Sequence, residues 1–232
     1  MSFVFPPGDR PSLPIHGRSE RFPLHRIYCV GRNYAEHARE MGSDPRREPP
    51  CFFSKPADAA VALSATSVTA LPYPPRTSDL HHEIELVVAL GRGGSDIPAD
   101  KAMAHVFGFA AGVDLTRRDL QLLAKKEGGP WDTAKGFDHS APLSAVHPIG
   151  ETGSMERGAI WLKVNGEIRQ QADVADMIWS LAEIIAGLSG FYRLQAGDLI
   201  FTGTPAGVGA LQRGDLVEGG VDGVATLSFR LE

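Results

Sequence analysis

The sequence predicts an α+β chain, mostly β, in which many short strands carry a few short helices. Three observations support this. Glycine (26) and proline (17) fill about 19% of 232 positions, against a usual ~12%, which points to frequent turns. Trp161–Arg169 reads as a hairpin, with Asn165-Gly166 at its two-residue turn. Strands and helices do not alternate regularly, which argues against a doubly wound parallel sheet. No internal repeat or domain-separating linker is visible, so one domain over 26–232 is expected behind an N-terminal arm, 1–25.

Five prolines make the arm read as irregular chain laid over the body. Residues 26–30 form an apolar strand. Residues 33–42 read as a short helix capped by Asn33 and stopped by Gly42. A polar loop, 43–50, separates it from a strand over 51–54. Residues 83–90 are the strongest strand. Asp96 and Pro98 open a short helix reaching His105. Residues 106–114 form a strand whose glycines suggest close backbone approach. Thr116-Arg-Arg-Asp119 resembles a capping box for a helix that stops at Gly128-Gly129. Ser180-x-x-Glu183 caps another, to about Leu188. A strand over 198–202 precedes the glycine-rich loop 202–209, and strands near 216–218 and 223–231 close the chain.

Composition excludes several classes. Hydrophobic residues at 43% and charged residues at 22% fit a globular chain. With 23 basic against 28 acidic residues, the net charge is −5, without a basic stripe, so no nucleic-acid partner is expected. Cys29 and Cys51 lack metal or redox spacing and read as small core hydrophobes. No apolar run approaches ~18 residues and no secretory leader stands at Met1, so a cytoplasmic protein without a membrane partner is expected.

The chemistry concentrates in four places. Alternation along a strand puts Glu83 and Glu85 on one face, continued by Val87 and Ala89; Ile84, Leu86, Val88 and Leu90 line the other. Carboxylates roughly 6–7 Å apart repel and need cations or donors when buried. Asp114 ends the apolar strand that follows; if the two strands are neighbours, three carboxylates converge, an all-oxygen set suited to Mg²⁺ or Mn²⁺. The alternative is an exposed strand end with Asp114 in a turn. His37 and Glu40 stand at i,i+3, where a carboxylate can orient an imidazole for acid–base work, or where both are simply solvated. Lys135 could place an ammonium beside a metal-bound substrate, or lie on the surface. The loop 202–209 could form an anion nest or only a tight turn. A glycosidase carboxylate pair is excluded, because an i,i+2 pair on one strand cannot flank a sugar from opposite faces.

Seven strings in order resemble the fumarylacetoacetate hydrolase family: residues 30–37 (VGRNYAEH), 53–56 (FSKP), 82–86 (HEIEL), 112–119 (GVDLTRRD), 135–138 (KGFD), 162–166 (LKVNG) and 201–205 (FTGTP). Residues 135–142 and the chain length look most like the subgroup acting on acylpyruvates. The resemblance implies a mixed β-roll with short peripheral helices, in a homodimer. It implies Glu83, Glu85 and Asp114 as ligands of one Mg²⁺ or Mn²⁺ per subunit, His37 and Glu40 as the water-activating dyad, and Lys135 as a lysine near substrate. Arg32, Arg118, Gln121 and Thr204 match substrate-facing positions. The implied activity is hydrolysis of a small-molecule 2,4-dioxo acid at C3–C4, with fumarylpyruvate foremost. Oxaloacetate decarboxylation, isomerisation of a dienoic diacid and metal binding without turnover are the rivals. Loop 43–50 is the expected lid.

Overall fold

The computed structural model describes residues 2–40 and 48–232. Two main sheets account for most strands. The eight-stranded sheet runs in the order Cys51–Lys55, Ile27–Gly31, Leu199–Phe201, Ile84–Leu90, Val106–Val113, Ala141–Leu143, Ala60–Ala62, and His147–Pro148 also pairs with Val106–Val113. The five-stranded sheet runs Glu167–Asp173, Ala159–Val164, Leu216–Val221, Ala225–Leu231, Thr69–Leu71. Most pairs are antiparallel, but Leu199–Phe201 runs parallel to Ile27–Gly31, which makes the larger sheet mixed.

All seven residues of Ile84–Leu90 are buried. The predicted alternation holds: Ile84, Leu86, Val88 and Leu90 join the main core with Ile160, Leu162, Val217 and Phe229. Val87 and Ala89 join a second core with Cys29, Leu199 and Phe201. Each fully buried side chain of this size contributes roughly 1.5–3 kcal/mol, so the strand is fixed from both faces.

The predicted strand over 83–90 is interrupted. Leu80–His82 belongs to a separate three-stranded sheet, between Thr116–Arg117 and Gly209–Leu211. In the large sheet, Ile84–Leu90 has the corresponding neighbours, Val106–Val113 and Leu199–Phe201. Three segments therefore pass from one sheet to the other at one level, at Glu83, at Asp114 and in the loop after Phe201. Their side chains and amides there are available for a site.

Several local readings change. The segment 1–25 is not irregular throughout, because Ser12–Pro14 pairs with Arg21–Pro23, and Leu13, Ile15, Phe22 and Leu24 enter the second core. The first helix is Ala35–Glu40, and Asn33 does not cap it; its amide instead holds Trp179 and Thr202. Gly42 and residues 43–47 of the expected lid lie outside the described residues. Asp96 has φ +50° and precedes, without capping, the helix Ala99–Ala102. Thr116 makes no capping box: helix Arg118–Glu127 starts after Arg117 without a side-chain cap. Asp119 accepts from Thr77 Oγ1 and Ser78 N instead. Gly128 closes that helix at φ +68°, as expected, and Asn165-Gly166 forms the hairpin turn at φ +52° and +85°. Ser180 and Glu183 form a full capping box, but their helix runs to Phe191. Cys29 is buried, Cys51 is half-buried, and both are free. Among the described residues no helix is long and apolar enough to cross a membrane.

Candidate active site

The switch between sheets brings Glu83, Glu85 and Asp114 together. One carboxylate oxygen from each lies within 4.8 Å of the others, and all three residues are buried. Glu85 is fixed by its place opposite Gly112, and Asp114 by its amide, which donates to Glu83 O at 2.8 Å.

Cations surround this cluster. Lys135 Nζ donates to Glu83 Oε2, Asp114 Oδ2 and Thr116 Oγ1, each at 2.7 Å. Arg118 Nη2 donates to Glu83 Oε1 at 2.5 Å, and its Nη1 donates to Gln121 Oε1 at 2.5 Å. Lys55 Nζ lies 2.8 Å from Asp114 Oδ1 and donates to Leu115 O and Lys135 O. Burial would push Glu83 up, but Lys135 and Arg118 override it and hold the carboxyl below its usual range. Burial likewise opposes the Lys135 charge, yet Asp114 and Glu83 raise its pKa. Glu85 is the exception. Its Oε2 accepts from Gly203 N at 2.6 Å, but among the described residues no cation pairs with it. Burial first, then Asp114 and Glu83, push it well above the usual carboxylate value. Asp114 Oδ1 accepts no well-aligned hydrogen bond despite the nearby ammonium. A buried all-oxygen trio with an under-compensated carboxylate and an orphaned oxygen fits a hard divalent ion such as Mg²⁺ or Mn²⁺.

His37 Nδ1 lies 3.2 Å from Glu40 Oε2, and Gly207 N donates to the same carboxylate at 3.2 Å. Glu40 is thus anchored to the glycine-rich loop. Burial lowers the His37 pKa, against the opposing pulls of Glu83 and Glu40, so the imidazole stays neutral at physiological pH. Thr204 Oγ1 donates to Ile84 O and accepts from Gln170 Nε2, both at 2.8 Å. Gln170 also receives Ile84 N and contacts His82 Nδ1, locking the loop to the strand.

Arg32, His37, Glu83, Glu85, Arg118, Gln121, Lys135 and Thr204 line one cleft of about 390 Å³. The other two predicted site residues, Glu40 and Asp114, touch the cleft residues His37 and Lys135. Arg118 bridges Glu83 and Gln121, donating to both side chains. Lys55, Gln170 and Lys125 escaped the residue-by-residue reading. Lys55 carried a signal, a lysine ending the apolar strand Cys51–Lys55. Gln170 carried none, since it sits between exposed neighbours in a polar strand.

The fumarylacetoacetate (FAA) hydrolase C-terminal profile matches residues 26–232. The chain belongs to the fumarylacetoacetate hydrolase family. Within it, the fumarylpyruvate hydrolase of Ralstonia sp is 46% identical over 178 residues, covering 77% of this chain and 90% of its own. The mitochondrial oxaloacetate tautomerase FAHD1 of Rattus norvegicus is 44% identical over 206 residues, covering 89% and 91%. Among solved structures, a fumarylpyruvate hydrolase from Pseudomonas aeruginosa in complex with Mn²⁺ and pyruvate is 52% identical, with TM-score 0.98 over 99% of each chain.

Proposed function

We propose that this family member is a divalent-metal-dependent hydrolase of 2,4-dioxo acids, with fumarylpyruvate as substrate and fumarate and pyruvate as products. The observation that carries this reading is the buried His37, oriented by Glu40, in the same cleft as Glu83 and Glu85 of the three-carboxylate cluster. The names of the relatives narrow the substrate.

Glu83, Glu85 and Asp114 would hold the ion, which supplies Lewis-acid polarisation of the α-oxo acid end. With Nδ1 on Glu40, His37 presents Nε2 to a water and takes its proton. The water oxygen adds to the C4 carbonyl. The C3–C4 bond then breaks, its electron pair stays on the three-carbon fragment, and His37 returns the proton to C3. Pyruvate leaves, and the acyl half departs as a carboxylic acid. Lys135 and Arg118 hold Glu83 in place, and Lys135 also holds Asp114.

A second reading, tautomerisation of oxaloacetate, is favoured by the FAHD1 relatives. It needs a proton shuttled between C3 and the enol oxygen and no water attack. The test strips the protein with chelator, restores Mg²⁺ or Mn²⁺, and follows the enol absorbance of fumarylpyruvate and of oxaloacetate. Metal-dependent release of fumarate and pyruvate is expected. Oxaloacetate enol–keto exchange without fumarylpyruvate cleavage would replace the hydrolase with the tautomerase. The family likeness also supports a cytoplasmic homodimer with one catalytic domain over 26–232 in gentisate breakdown; light scattering checks the dimer.

A further inference from the structure

The cleft has two chemically different ends. Its floor holds the buried Glu83, Glu85 and Lys135, of which Lys135 pairs with Glu83. Its mouth holds Arg32 and Lys125, both exposed, with half-buried Phe53 and Trp131 as walls. Phe53 and Trp131 meet edge-on at 5.6 Å, and Lys125 Nζ stands 5.4 Å over the Trp131 ring. Among the described residues no carboxylate pairs with Arg32 or Lys125. Arg118 and Lys135, the other cations lining the cleft, already donate to Glu83 on the floor. Arg32 and Lys125 are the two cations of the cleft whose charge faces solvent without a carboxylate partner among the described residues, which suits an incoming anion. Arg32 is further constrained by a left-handed backbone at φ +61° directly after strand Ile27–Gly31, a conformation rare for long side chains.

We infer that Lys125, with Arg32, receives the far carboxylate of a dicarboxylic substrate and so selects acyl groups ending in a carboxylate over neutral ones. The inference rests on the acylpyruvate reading above. An α-oxo acid end on the floor and a carboxylate at the mouth match the two ends of fumarylpyruvate, with its planar unsaturated linker running alongside the Phe53–Trp131 pair. Lys125 is a mobile point charge at a solvent-exposed site, so its weight falls on discrimination.

The test compares wild type with Lys125→Met and Lys125→Arg. The readout is the ratio of kcat/KM for fumarylpyruvate to that for acetylpyruvate, which lacks the far carboxylate. Lys125→Met is expected to lower the ratio about tenfold or more, and Lys125→Arg to keep it within about threefold. A ratio unmoved by Lys125→Met overturns the inference. A binding arm keeps it separate from the hydrolase reading: calorimetry of fumarate against crotonate, its monocarboxylate counterpart, on the Mn²⁺-loaded protein. Wild type prefers fumarate, and Lys125→Met loses that preference even if neither acylpyruvate is cleaved. Equal preference in both proteins refutes the role of Lys125 while leaving the reaction class standing.

Discussion

Lys135→Met tests the electrostatic construction of the site. Methionine keeps most of the stem and removes the ammonium, the one group among the described residues that donates to both Glu83 and Asp114. Arg118 and Lys55 remain, but each reaches only one of these carboxylates. Removing one partner from a buried ion pair costs about 3–5 kcal/mol, because the other charge stays desolvated. For 232 residues the unfolding entropy near the midpoint is about 0.5 kcal/mol per degree. The metal-free variant should therefore melt about 6–10 °C below wild type by circular dichroism in chelator. Mn²⁺ restores positive charge where the ammonium was lost, so it should raise the Tm of the variant more than that of wild type. A metal-free difference under about 2 °C would refute the claim that Lys135 holds the carboxylates.

Further outcomes follow from the same geometry. His37→Ala should lower kcat by about 10²–10⁴ while Mn²⁺ binding, read by paramagnetic resonance, is retained. His37 must be neutral to act and burial lowers its pKa, so activity in wild type should fall only as pH drops below the ordinary 6.5. Glu40 raises that pKa, so Glu40→Gln should move the acid limb lower still as it reduces kcat, in pH–rate profiles. Gln170→Leu strands the Ile84 amide and Pro205 carbonyl, and urea unfolding should show a loss of about 2–4 kcal/mol. A Cβ on Gly203 would stand 2.7 Å from Asn33 Cβ at φ +99°. Gly203→Ala should therefore cost about 1–3 kcal/mol and weaken Mn²⁺ binding, since the Gly203 amide holds Glu85.

Much of this arrangement was legible from local pattern. Two-residue alternation assigned both faces of Ile84–Leu90, and the turn chemistry of Asn165-Gly166 and Gly128 fixed its own positions. The order of seven short strings singled out three carboxylates that the fold does bring together, and the His37–Glu40 pair that does meet. What failed depended on partners distant in sequence. Asn33 and Thr116 are good caps by residue type, yet the polar groups of the loop after Phe201 and of Lys135 compete for them more strongly. Glu83 reads as the first residue of a strand because alternation cannot reveal that the chain changes sheets there. Arg118 gives no sign in the sequence of the bond it makes to the buried carboxylate 35 residues earlier. Gln170 is invisible to any local rule, since its role exists only once strand and loop are brought together.

The ribbon before residue 26 separates two meanings of a domain boundary. The family profile starts at residue 26, and a gene trimmed there would keep every residue of the proposed chemistry. It would lose Leu13, Ile15, Phe22 and Leu24, which share one apolar cluster with Val87 and Phe201 behind the carboxylates. Those four side chains contribute roughly 6–12 kcal/mol of burial, as much as a whole domain usually has in hand. The family's shared domain is thus shorter than the stretch that folds, and a trimmed protein would expose a sticky rear wall and precipitate with the residues of the proposed chemistry intact.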